Sequence, residues 1–140
     1  MRPFLFLILM GIAACGVKHS SVEYGKTTKA NLVQEKGEPL TEEVIPIKDG
    51  KVLLYPGNEK YQLQGDVVTS GFKTPQGDQK TLIYWKHEFK DCLIRNRKIN
   101  RDQTSHEMPE WELACDEQGI SVIYTEGSEF ISRIVEYEKK

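Results

Sequence analysis

Trp111-Glu112-Leu113-Ala114-Cys115-Asp116-Glu117-Gln118-Gly119-Ile120-Ser121-Val122-Ile123-Tyr124 reads as two strands and the turn between them. Folding it about residues 116–119 sets Trp111 opposite Tyr124, Leu113 opposite Val122 and Cys115 opposite Ile120. Side chains alternate across a strand, so all six then share one face. A slip of one residue would turn every one of them to solvent, and the pattern therefore specifies its own register. An antiparallel sheet is the frame for the rest of the chain.

Working outward, Tyr61-Gln62-Leu63-Gln64 alternates strictly, and Val67, Val68 and Phe72 extend the sheet after a break at Gly65-Asp66. Asp49-Gly50 predicts a two-residue type I′ hairpin that sets Ile47 opposite Val52, Ile45 opposite Leu54 and Val44 opposite Tyr55. Pro46 has no N–H for a ladder, which places its strand at an edge. Residues 74–79 form a turn by composition. Residues 81–89 read as a strand with Ile83, Trp85, His87 and Phe89 on one face. Residues 130–137 read as a last strand, although Phe130, Ile131, Ile134 and Val135 fit a helical face as well.

A short helix precedes the sheet: Thr27 or Thr28 as N-cap, Ala30, Leu32 and Val33 as its apolar stripe, Gly37 as its stop and Pro39 beyond. The expected fold is α+β: this short N-terminal helix packed on an antiparallel sheet of about five to seven short strands, with one disulfide. Cys92 and Cys115 supply the disulfide. It closes a loop of 22 intervening residues, for which loop entropy gives roughly 3 kcal/mol. A zinc site from these cysteines with His87 and His106 lacks the short spacings such sites favour.

Residues 93–109 read as a polar loop, long for a connector. Charge is segregated around it: residues 86–101 hold six Lys or Arg against two acids, and residues 102–117 hold six acids with no Lys or Arg. The two limbs attract each other, and a solvated, self-compensating loop accounts for that. The alternative is a partner-binding patch, with Arg95, Arg97, Lys98 and Arg101 as its cations, pre-ordered by the disulfide.

The start of the chain sets the compartment. Arg2, the apolar run from Pro3 to Met10, and Ile12-Ala13-Ala14-Cys15 have the form of a bacterial lipoprotein signal peptide, too short to span a bilayer of ~30 Å stably. Residues 1–14 are expected to be cleaved, leaving Cys15 to carry diacylglycerol and an N-acyl chain. Residues 15–25 are small and polar and read as a flexible tether, and residues 26–140 as a single domain. His19 falls in the tether. The expected place is the outer membrane with the domain in the periplasm, since Gly16 is not the aspartate that retains enteric lipoproteins in the inner membrane. Without Arg2, 18 basic residues face 21 acidic ones, which gives no general attraction to nucleic acid.

The chain spells out no chemistry. His106-Glu107-Met108-Pro109-Glu110 begins like the zinc-protease H-E-x-x-H, but the fifth position is Glu and Pro109 breaks the required helix. No nucleophile elbow or phosphate-binding glycine loop is present in the sequence. The expectation is therefore no enzymatic activity, no metal and no cofactor besides the lipid on Cys15.

Gly25-Lys26-Thr27-Thr28-Lys29-Ala30-Asn31-Leu32-Val33-Gln34-Glu35-Lys36-Gly37-Glu38-Pro39 resembles the G-x-T-x-x-x-V-x-x-x-L-G-x-P signature of the BamE-like (SmpA/OmlA) envelope lipoproteins. Anchored on Thr28, it matches at Leu32, Gly37 and Pro39; Gly25 stands one residue early and Lys36 where the family prefers leucine. The resemblance implies an α+β fold and a protein that binds other envelope proteins as an outer-membrane assembly accessory. A small periplasmic ligand-binding or inhibitor domain is the alternative, and an envelope hydrolase using His87, or His106 with Glu107, a more distant one.

Overall fold

The computed structural model describes residues 22–46, 49–99 and 108–140. The expected signal peptide, Cys15, His19, Arg101, His106 and Glu107 lie outside the described residues. Helix α1 (Lys29–Lys36) leads into strands β1 (Thr41–Ile45), β2 (Gly50–Tyr55), β3 (Glu59–Gln64) and β4 (Val67–Lys73). Helix α2 (Leu82–Glu88) leads into β5 (Ile94–Ile99), β6 (Glu110–Cys115), β7 (Ile120–Thr125) and β8 (Ile131–Tyr137). The strands form one antiparallel sheet in the order β1-β2-β3-β4-β8-β7-β6-β5.

The expected fold is thus corrected: among the described residues, two short α-helices lie on eight strands, instead of one helix on five to seven. Two local readings account for the change. Residues 81–89 form a helix because burial follows a helical row, with Trp85 and Phe89 in the core and Leu82 packed against it, while Ile83 is 77% exposed. His87 is exposed on that helix, instead of standing among apolar neighbours on a strand. The expected loop at 93–109 contains β5, whose alternation is carried by charged and polar side chains in place of apolar ones.

The β1–β2 hairpin is shifted by four residues: Ile45 faces Gly50, and Thr41 faces Leu54. Pro46 cannot donate to a ladder, and pairing ends at Ile45; Ile47, expected opposite Val52, lies outside the described residues. Elsewhere the expected pairs of Trp111 with Tyr124, Leu113 with Val122 and Cys115 with Ile120 are all present. Residues 131–137 are a strand, Cys92 is bonded to Cys115, and α1 is capped by Thr28, which accepts from Asn31 N–H, and stopped by Gly37 at φ 85°.

The two halves repeat one plan. Thr28 and Thr81, each just before a helix, bridge to Val67 and Phe130. The first helical N–H donates in each case to the residue before that bridge: Lys29 to Asp66 O (2.9 Å) and Leu82 to Glu129 O (2.8 Å). A bulge follows at the same place in each half. Its hydroxyl donates back across the ladder, Thr69 to Gln62 O (3.2 Å) and Ser132 to Ile123 O (3.0 Å). Three residues beyond those bulges stand Phe72 and Val135, and they pair with each other. The approximate two-fold axis relating the halves therefore passes through that pair.

Register places both helices on the same face. Leu32 of α1 packs with Leu53, Tyr55, Tyr61, Leu63 and Val68, and Trp85 and Phe89 of α2 pack with Leu113, Cys115, Val122, Ile131 and Ile134. Between these two clusters runs a polar seam: Lys36 pairs with Glu59 (2.8 Å), Tyr61 donates to Glu59, and Lys73 and Tyr24 both reach Glu136 at 2.8 Å. Burial, with Glu136 adding, holds the Tyr24 hydroxyl well above the ordinary tyrosine range; burial and Glu59 do the same for Tyr61. Val22, Tyr24 and Gly25, at the end of the segment read as a tether, belong to this layer: Val22 and Tyr24 pack on the α1 cluster, and Gly25 N–H donates to Val68 O at 2.9 Å. Tyr24 fits because position 71 is glycine, where a Cβ would stand 2.3 Å from its hydroxyl oxygen.

Candidate functional site

No described helix lies on the other face of the sheet, hereafter the helix-free face. Its centre is the axial pair Phe72 and Val135, with Val52, Gln62 and Ser70 beside it, all half-buried. Val52, Lys60, Gln62, Phe72, Glu110 and Arg133 line a cleft of about 550 Å³ there. Half-buried apolar side chains interleaved with amides and a hydroxyl make a surface that can take both apolar and hydrogen-bonding groups from a partner.

Toward the β5 edge the same face becomes ionic. Arg97 stands directly opposite Glu112 and contacts it at 2.5 Å, while Arg95 bridges Glu112 (3.5 Å) and Asp116 (2.8 Å). Arg133 reaches Glu110 at 3.3 Å, and the Tyr137 hydroxyl donates to Asp116 at 2.6 Å. Under these long side chains lie Ala114, Ser121 and Ile123, all buried although no described helix covers them. Glu112 is 6% exposed, and a carboxylate so far removed from water requires its two guanidinium partners.

The hydrogen bond from Arg95, with that from Tyr137 second, holds the Asp116 carboxyl well below the usual carboxylate range against the opposing effect of burial. Burial, and then Asp116, holds the Tyr137 hydroxyl above its ordinary range. Asp116 is thus a fixed anion and Tyr137 a fixed donor at neutral pH. These groups are locked to one another, an arrangement suited to rigidity and recognition; proton transfer would require at least one of them to titrate near neutrality.

Of the cations expected to bind a partner, Arg95 and Arg97 lie on this face of β5, ion-paired within the chain. Lys98 lies on the same strand but in register with Trp111, and so on the helix-bearing face. Arg101 is outside the described residues. Glu112, Asp116, Arg133 and Tyr137 were not singled out from sequence. Their signal was present as the alternation of opposite charges between residues 95–97 and 110–116, but pairing them requires knowing that β5 is a strand. Among the described residues, no group of three or more His, Cys, Asp or Glu is placed to hold a metal ion.

No protein-family model, curated protein or solved structure matches the chain.

Proposed function

We propose that this chain is a lipid-anchored protein of the bacterial envelope that binds a protein partner, as an assembly accessory, through the helix-free face of its sheet. One observation carries the reading: both helices pack on one face, which leaves Val52, Phe72 and Val135 half-buried at the centre of the other. A sheet of this size that covers only one side has a broad surface for a second protein. The reading is further supported by the lipobox-like Ile12-Ala13-Ala14-Cys15, by a disulfide of the kind found in oxidising compartments, and by the resemblance of residues 25–39 to the BamE-like lipoproteins. The contact residues proposed earlier move accordingly, from the basic limb alone to the face on which Arg95 and Arg97 lie.

Affinity capture from crosslinked envelopes tests this. Lys60→Glu combined with Gln62→Arg changes the centre of the helix-free face without truncating an apolar side chain, so the fold should persist. Recovery of a stoichiometric protein partner should fall by about tenfold or more. Undiminished capture by the double variant would contradict the reading.

A further inference from the structure

The helix-free face is built twice, and its two halves are finished differently. In the second half, Arg95 and Arg97 of the outer strand β5 stand opposite Ala114 and Glu112 of β6, which in turn stand opposite Ser121 and Ile123 of β7. In the first half the same two rows run from Thr41 and Glu43 on β1, through Leu54 and Val52 on β2, to Lys60 and Gln62 on β3. The approximate two-fold axis makes these positions equivalent: Lys60 pairs with Phe72 as Ser121 pairs with Val135, and Phe72 and Val135 meet at the axis.

The second half covers itself. Beneath the long side chains of Arg95 and Arg97, the residues Glu112, Ala114, Ser121 and Ile123 are all buried. Thr41 and Glu43, at the equivalent places, are too short to do the same. Val52, Leu54 and Gln62 accordingly stay half-buried and Lys60 exposed, and the cleft of about 550 Å³ opens there. Charge is left over as well as area. Glu112 has two guanidinium partners, whereas Glu43 and Lys60, both lining the cleft, have no ion-pair partner among the described residues. The first half therefore presents what the second half has already satisfied from its own chain: an apolar floor, one anion and one cation.

We propose that the first-half cleft is the anchor point for the partner protein, which places an apolar side chain over Val52 and Phe72, between a basic side chain that meets Glu43 and an acidic one that meets Lys60. This rests on the reading of the helix-free face as the binding face, and adds to it which half binds and what chemistry the partner brings. Glu43 and Lys60 stand two strands and two residues apart, about 12 Å between Cα atoms. The partner's base and acid are held at a matching separation, with the apolar side chain between them. Such an anchor takes its affinity from the filled centre, while the two flanking charges fix register and reject partners of the wrong sign. The ionic second half has its charges already paired and adds contact without an anchor.

The test uses the full-length protein in cells, with a photo-reactive benzophenone amino acid at Thr74 on the lip of the cleft, or at Thr125, which faces Glu110 in the second half of the same face. The expected result is a discrete protein adduct from Thr74, at least about fivefold stronger than any from Thr125. With the probe at Thr74, Lys60→Glu and, separately, Glu43→Lys should each lower the adduct by about tenfold, while Lys60→Arg leaves it unchanged. Both residues are exposed, so an unaltered Tm should accompany each charge reversal. An adduct from Thr125 as strong as that from Thr74 would overturn the cleft as the anchor point and leave the helix-free face standing. An undiminished Thr74 adduct in either charge reversal would overturn the charged chemistry assigned to the partner. Absence of any adduct from both positions would count against the helix-free face as the binding face, and against the cleft with it.

Discussion

Glu112 is held by Arg95 and Arg97 across two strands, and that changes what the basic residues of β5 mean. Read as an exposed cluster, they could be removed at little cost to stability. With a nearly buried carboxylate beneath them, Arg95→Ser combined with Arg97→Ser should cost about 1–3 kcal/mol in urea unfolding, the range for a buried polar group deprived of its partners. Asp116 gives the same region a pH dependence. A carboxyl whose pKa is lower in the folded than in the unfolded chain adds stability above its unfolded value, about 3.9, and that stability is lost as pH falls toward the folded value. The urea midpoint of the wild type should therefore drop steeply below about pH 4. Asp116→Asn should start lower at neutral pH and show a shallower acid decline. At the seam, Gly71→Ala would ordinarily favour a strand, but here its methyl meets the Tyr24 ring. A loss of roughly 1–3 kcal/mol is expected, largely recovered when Tyr24→Leu makes room; an equal loss in both backgrounds would show that the contact is not the cause.

The elements differ in how clearly the sequence announced them. β6 and β7 were legible down to register because their inward positions are apolar and their turn ends in Gly119. Helix α1 was legible through Thr28, Leu32 and Gly37. Residues 81–89 were not, because aromatic and aliphatic side chains at Leu82, Ile83, Tyr84 and Trp85 satisfy a period of two and a helical row together. Only burial separated them. β5 was hidden for the opposite reason: its sides are Arg95 and Arg97 on one and Asn96 and Lys98 on the other, so hydrophobic alternation is absent. Of the candidate site, Arg95 and Arg97 were found from charge alone, whereas Phe72 and Val135 gained their significance only when β4 met β8. The disulfide ties the turn after α2 to β6, and its loss should free that end of the helix. Cys92→Ser with Cys115→Ser is expected to cost about 3 kcal/mol and to lower Tm by roughly 10 °C, as measured by calorimetry. An unchanged Tm would mean that packing of Trp85 and Phe89 alone secures α2.

At the scale of the whole molecule, the repeated helix-and-four-strand plan joins two separate apolar clusters through the β4–β8 pair and a polar seam. Such repetition was not visible in the sequence because its two copies share geometry, in caps, bridges and hydroxyl-bearing bulges, more than residue identity. It yields one sheet twice as wide as either half could build, with both described helices on one side. The account depends on the uncovered side being where a partner binds. Site-specific photo-crosslinking in cells measures this directly, with a benzophenone amino acid placed at Gln62 on the helix-free face or at Gln34 on the exposed surface of α1. The account predicts a discrete protein adduct from Gln62 and none from Gln34. An adduct from Gln34 with none from Gln62 would contradict it.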